Sequence, residues 1–236
     1  MHANDPRKGY FLLADANALG GYLEEPFERF IPTLAAVSLP VVGGFTTARS
    51  DEYHLDHIVG CASAHTLVSG KSHRADGSIS VLLKAVIERL NILDVVTADR
   101  IVAQLSVTIL PDDQGTTISF AGTSFHGLRI AGFPCRVVTT TGKGSRDDDG
   151  GQAFSIVERI ELVDPDGGEF PGSFHDNNTV DIPGFGRFHF GEGLASRDLL
   201  QFVAVRAELG CPVKGSVAAG SLAAKSKKKG HPDPPA

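Results

Sequence analysis

The feature that most constrains this chain is that its middle repeats itself once. Ala85 to Asp94 aligns without a gap on Thr123 to Gly132, and after a two-residue slip Arg100-Ile101-Val102 falls on Arg136-Val137-Val138. Each copy reads small, any, apolar, any, any, Leu, polar, Ile, small or apolar, turn residue. An echo of this kind describes backbone construction, and it settles an ambiguous segment. Ile79, Leu82, Leu83, Val86, Ile87 and Leu90 make a fair helical stripe, while Val81, Leu83, Ala85 and Ile87 alternate as a strand would. The second copy opens Thr117-Ile118-Ser119-Phe120-Ala121-Gly122-Thr123, where β-branched residues and a glycine disfavour a helix. Both copies, spanning 79–110 and 117–140, are therefore expected to be extended.

The rest of the chain agrees. Ile101, Ala103, Leu105, Val107 and Ile109 face one way and Gln104, Ser106 and Thr108 the other, the period of two that a half-buried strand requires. Phe154, Ile156, Ile160 and Leu162 alternate similarly, and Leu199 to Leu209 reads as a strand through Val203 and Val205. A first strand is expected at Tyr10 to Leu13, then a short helix or loop over Tyr22 to Phe30. With 27 Gly and 13 Pro in 236 residues, breakers exclude long helices. The fold class is all-β with little helix: a duplicated antiparallel or mixed sheet domain, built as a sandwich, barrel or short β-solenoid. One domain is expected over 1–218. A disordered tail is expected over 219–236, which carries Lys225-Ser226-Lys227-Lys228-Lys229.

Leu90 to Arg100, Phe125 to Gly132 and the ending Arg206-Ala207-Glu208-Leu209-Gly210-Cys211-Pro212-Val213 together resemble a group of uncharacterised bacterial proteins of similar length. More remotely, the first of these lines is similar to repeats in bacterial surface proteins of the choice-of-anchor kind, which carry an export signal and an anchor; neither is expected here. The resemblance implies a β-rich bacterial protein over Gly9 to Val217 and supplies no activity.

A net charge of −6 argues against broad nucleic-acid binding. No apolar run is long enough for a membrane span, and Met1 to Lys8 leads into no signal-type apolar stretch. A cytoplasmic location is expected, with non-classical export left open. Cys61, Cys135 and Cys211 are odd in number and widely spaced, so buried thiols are the expectation, with one bridge and one free thiol as the alternative.

Candidate chemistry is sparse. His54 and His57, in Asp51-Glu52-Tyr53-His54-Leu55-Asp56-His57, are the densest ligand-type cluster and weak metal candidates; on an extended segment their rings fall on opposite faces, so further ligands such as His65 or His126 are needed. His175-Asp176 and His189 with Glu192, near Ser173, form a second carboxylate–imidazole set without a nucleophile elbow. Gly70-Lys71-Ser72 lacks the upstream glycine of a phosphate loop. Asp147 to Asp149, and Asp164 with Asp166, are turn residues. No cofactor is expected. The favoured reading is a non-enzymatic β protein that binds or self-assembles, its partner another protein, a further copy of itself included. The alternative is a hydrolase or metal-dependent enzyme built from His54, His57 and the loops around His126, His175 and His189, which requires a cleft where at least three of these side chains converge.

Overall fold

In a computed structural model, residues 10–40, 43–73, 77–110, 115–140, 144–145, 152–163, 168–196, 199–210 and 212–228 are described, and they form strands and turns without a helix. Two large antiparallel sheets pack face to face and do not close into a barrel. The first runs in the order Ser173–His175, Thr179–Ile182, Gly186–Ala195, Leu199–Leu209, Gly215–Lys228, Tyr10–Leu23, Arg29–Leu34. The second centres on the hairpin Ile79–Ile92 and Val96–Ile109. Beyond Val96–Ile109 lie Arg129–Ile130, Phe133–Thr139 and Val157–Leu162; beyond Ile79–Ile92 lie Ser63–Ser72 and then Gly44–Ser50, with the short hairpin Tyr53–Leu55 and Val59–Cys61 alongside. The two echoing segments thus flank one strand: Ile79–Ile92 pairs with one edge of Val96–Ile109, and Ser124–His126 and Arg129–Ile130 pair with the other.

Apolar side chains of both inner faces form one core. Phe188, Phe190 and Phe202 of the first sheet are fully buried. Phe120 of the second sheet meets Phe202 at 5.0 Å between ring centroids. Burial of each such side chain contributes about 1.5–3 kcal/mol. One buried hydrogen bond also crosses between the layers: Thr66 Oγ1 donates to the Ala35 carbonyl at 2.5 Å. Cys61 and Cys135 are buried free thiols, and burial pushes Cys135 up to about 11.

Two expectations about the termini need correction. The first strand does not stop at Leu13; it runs from Tyr10 to Leu23, through Asp15, Asn17 and two glycines. The boundary expected at 218 lies inside a strand, Gly215–Lys228, in which Val217, Ala219, Leu222 and Ala224 are buried. These two strands pair along their whole length, Tyr10 with Lys228 through Leu23 with Gly215. Polar or basic residues sit on their outward positions, which local composition reads as a loop or a tail. The rest of the expected tail, 229–236, lies outside the described residues, as do Cys211 and the acidic turns at 147–149 and 164–166. Of the short helix or loop expected over Tyr22 to Phe30, the loop is found, at 24–28, between the ends of two strands. No helix among the described residues is long and apolar enough to cross a membrane.

Candidate functional site

The site begins with a break in strand periodicity. Along Ile79–Ile92 the inward residues are Val81, Leu83, Ala85 and Ile87, then Leu90 and Ile92. Odd positions give way to even ones across Arg89. On the paired strand the change from Val96 and Ala98 to Ile101, Ala103 and Leu105 falls at Asp99 and Arg100. The cause is a row in which left-handed residues, on alternate strands, reverse the pleat. Arg89 has φ +51 and sits opposite Asp99, between the ladder pairs Glu88 with Arg100 and Leu90 with Ala98. Asp99 in turn sits opposite Gly127, φ +61. The first sheet carries an equivalent row, in which Gly191 (φ +61), Ala204, Gly220 (φ +69) and Ala18 are neighbours across four strands. There too the inward set changes phase, from Phe202 and Ala204 to Val205 and Ala207.

Glycine suits such positions because it has no Cβ to clash. A Cβ on Gly220 would lie 2.9 Å from the Ala103 Cβ of the facing sheet. A Cβ on Gly127 would lie 1.9 Å from Asp99 Oδ2. Arg89 is the left-handed residue in these rows that is not glycine. Holding an L-residue there costs about 1–2 kcal/mol. Strain of this kind concentrates at functional sites, where a particular side chain is worth its cost.

Arg89 lines an open groove of about 430 Å³ together with Glu52, His54, Thr97, Asp99 and Arg129. A second recess of about 340 Å³ adjoins it, sharing Asp99, Gly127 and Arg129 and adding His126 and Arg136. Some groove charges are spoken for. His54 Nε2 lies 2.9 Å from Glu52 Oε1, and Arg129 donates to the Gly132 carbonyl at 3.3 Å. Others are not: among the described residues, neither the Arg89 guanidinium nor the Asp99 carboxylate makes a hydrogen bond or ion pair. They stand on adjacent strands at the same ladder level and still do not pair with each other. The arrangement is suited to holding a polar ligand. Among the described residues, His54 with Glu52 is its carboxylate–imidazole pair, and no Ser, Cys or Lys side chain lines the groove beside it.

The expected site residues fall into separate places. His54, on strand Tyr53–Leu55, lines the groove, whereas His57 sits at the exposed tip of the hairpin that follows. His65 is exposed on strand Ser63–Ser72, and His126 lines the second recess. No three His, Cys, Asp or Glu side chains among the described residues gather as a metal site would need. Gly70, Lys71 and Ser72 end a strand paired with Ile79–Ile92, with no helix after them.

The second set lies on the outer face of the other sheet. Ser173 Oγ is 3.0 Å from His175 Nε2, and Asp181 Oδ2, not Asp176, is 3.1 Å from the same nitrogen. A hydrolytic triad needs the hydroxyl and the carboxylate on opposite ring nitrogens, so that the imidazole relays a proton between them. With both on Nε2 they compete, and no relay forms. Asp181 also takes two hydrogen bonds from Arg187, at 2.6 and 2.9 Å, which hold its carboxyl below the ordinary range. Beside it, Arg206 bonds both Glu192 and Glu208. His189 Nδ1 is 3.1 Å from Thr179 Oγ1, and its buried Nε2 has no hydrogen-bond partner. Burial, then the Arg206 charge, lowers the His189 pKa. The network is a cross-strand lattice of ion pairs that clamps four strands together.

Sequence reasoning missed Arg89, Asp99 and Arg129. A signal was present: apolar spacing of two through Ile87, then three to Leu90, and again three from Ala98 to Ile101. A skipped position in otherwise strict alternation marks a local reversal of the pleat.

A profile described as a domain of unknown function (DUF8256) matches residues 10–146, more than half of the chain, and the chain belongs to that family. No curated protein and no solved structure matches it. The groove lies within the matched region; the His175 and His189 lattice lies beyond it.

Proposed function

We propose that this member of the DUF8256 family is a non-enzymatic β-sheet protein that assembles by adding a strand at a free sheet edge, its partner a second copy of the chain. One observation carries the reading: among the described residues, Gly44–Ser50 pairs on one side only, with Ser63–Ser72. Natural sheets guard their edges with proline, charge or brevity. Arg29–Leu34 has Pro32, Val157–Leu162 has Glu158, Arg159 and Glu161, and Tyr53–Leu55 and Ser173–His175 have three residues each. Gly44–Ser50, with seven residues, has no proline and one charge.

Its sequence suits antiparallel pairing with itself. A two-fold axis at Thr47 sets Thr47 opposite Thr47, Thr46 opposite Ala48 and Phe45 opposite Arg49. Phe45, Thr47 and Arg49 share the solvent face, and Phe45 is 64% exposed. The pairing yields a Thr–Thr contact flanked by two cation–π pairs. About six backbone hydrogen bonds at about 1 kcal/mol net each stand against an association cost of at least about 4 kcal/mol. With about 1–2 kcal/mol from the two cation–π pairs the net is about 3–4 kcal/mol, so the dimer is weak, with a dissociation constant of about 1–6 mM. Sedimentation velocity over about 0.01–1 mM tests it. The wild type shifts toward dimer, and Thr47→Lys, which sets two ammonium groups face to face, stays monomeric. A wild type that is monomeric at about 1 mM refutes the reading.

A further inference from the structure

The geometry points to the Arg89 groove as a binding site for a small zwitterion, an α-amino acid being the simplest: Arg89 takes the carboxylate and Asp99 the ammonium. Three observations converge. Arg89 keeps a left-handed backbone, φ +51, where the equivalent places of the two sheets carry Gly127, Gly191 and Gly220. Retaining arginine there against the backbone preference implies a use for its side chain. Its guanidinium and the Asp99 carboxylate line the same groove and lack partners among the described residues. The formal charges of the groove also balance, Arg89 and Arg129 against Asp99 and Glu52, so neither a bare anion nor a bare cation is complementary to it.

Dimensions agree. Arg89 and Asp99 face each other across one ladder step, where Cα atoms are about 4.5–5.5 Å apart. Both side chains therefore rise from neighbouring strands at one level, within reach of the two ends of one small molecule. A guanidinium grips a carboxylate through two parallel hydrogen bonds. Gly127 keeps the Asp99 carboxylate in place, since any larger residue would displace it. A volume of about 430 Å³ leaves room for a side chain beyond the shared backbone atoms. Because the groove is open to water, affinity is modest, with a dissociation constant in the range of about 0.1–5 mM.

The test is an amide NMR titration of the full chain with L-alanine and with its two single-charge fragments, propionate and ethylamine. L-alanine is expected to give saturable shifts around Arg89, Asp99 and Gly127, with both fragments at least about tenfold weaker. Arg89→Gly and Asp99→Asn should each abolish saturation. Glycine fits the left-handed position, so Arg89→Gly should keep a urea midpoint at or above that of the wild type. Loss of binding together with retained stability separates a ligand role from a structural one. Propionate binding as tightly as L-alanine, no saturable shift up to about 50 mM, or unchanged binding in Arg89→Gly would each overturn the assignment.

Discussion

Gly127→Ala tests the left-handed row directly. The perturbation is one methyl group at φ +61, 1.9 Å from Asp99 Oδ2, 2.4 Å from its Cγ and 2.9 Å from its Cβ. Two effects act on the backbone. The left-handed conformation costs an alanine about 1 kcal/mol, while removing a glycine from the unfolded chain returns about 0.4–1 kcal/mol. These nearly cancel, and the clash decides the outcome. Overpacking of this kind costs about 1–3 kcal/mol, so about 2 kcal/mol of destabilisation is expected, or roughly 4–8 °C in melting temperature for a chain this long. Asp99→Ala removes the two nearest atoms and leaves only the contact at 2.9 Å. By itself it is a surface change within about 0.5 kcal/mol. In the double variant it should restore at least about 1 kcal/mol of what Gly127→Ala loses. Urea unfolding of the four proteins measures this, provided the slopes agree. Additivity within about 0.5 kcal/mol would show that the two residues are not in contact and would refute the row as described.

Other consequences are equally open to measurement. Thr66→Val keeps the shape but leaves the Ala35 carbonyl without its donor, so unfolding free energy should fall by about 1–3 kcal/mol, with Thr66→Ser milder. His189 has a lowered folded pKa, so the unfolded chain takes up its proton first. Stability is therefore full above pH ~6.5 and falls as pH drops below it. The groups around the ring are Thr179, Glu192, Arg206, Glu208 and Arg187. His189→Gln should flatten melting temperature between pH 7.5 and 5.5; Asp181, held low by Arg187, acts only below pH ~4 and leaves that window untouched. Cys61 and Cys135 should resist a thiol reagent in the native protein and react on unfolding; prompt native labelling of either would contradict their burial.

Much of the scaffold was legible in the sequence because strand periodicity is local. Ile101 to Ile109 read as a half-buried strand and is one. The echo chose strand over helix for Ile79 to Ile87, and those residues lie in strand Ile79–Ile92. The failures have a common physical origin. Tyr10–Leu23 and Gly215–Lys228 look like weak segments when read alone, since Asp15, Asn17, Gly20 and the lysines interrupt them. Each becomes a strand by supplying backbone partners to the other from the far end of the chain.

The site was less legible for a related reason. Residue type drew attention to His54, His57, His175 and His189, but a histidine in a sequence carries no information about which ring nitrogen meets what. Only the fold put Ser173 and Asp181 on the same nitrogen of His175, which removes the relay. Arg89 and Asp99, by contrast, are ordinary charged residues until the ladder sets them side by side.

By itself, the sequence determined that this protein is all-β and where most central strands run. Those properties rest on side-chain alternation and turn chemistry, which act within a few residues. The tertiary structure decided the rest: two sheets facing each other, Tyr10–Leu23 paired with Gly215–Lys228, Gly44–Ser50 at a sheet edge among the described residues, and a left-handed Arg89 lining a groove. Each depends on contacts between segments far apart in the chain, which no local pattern specifies.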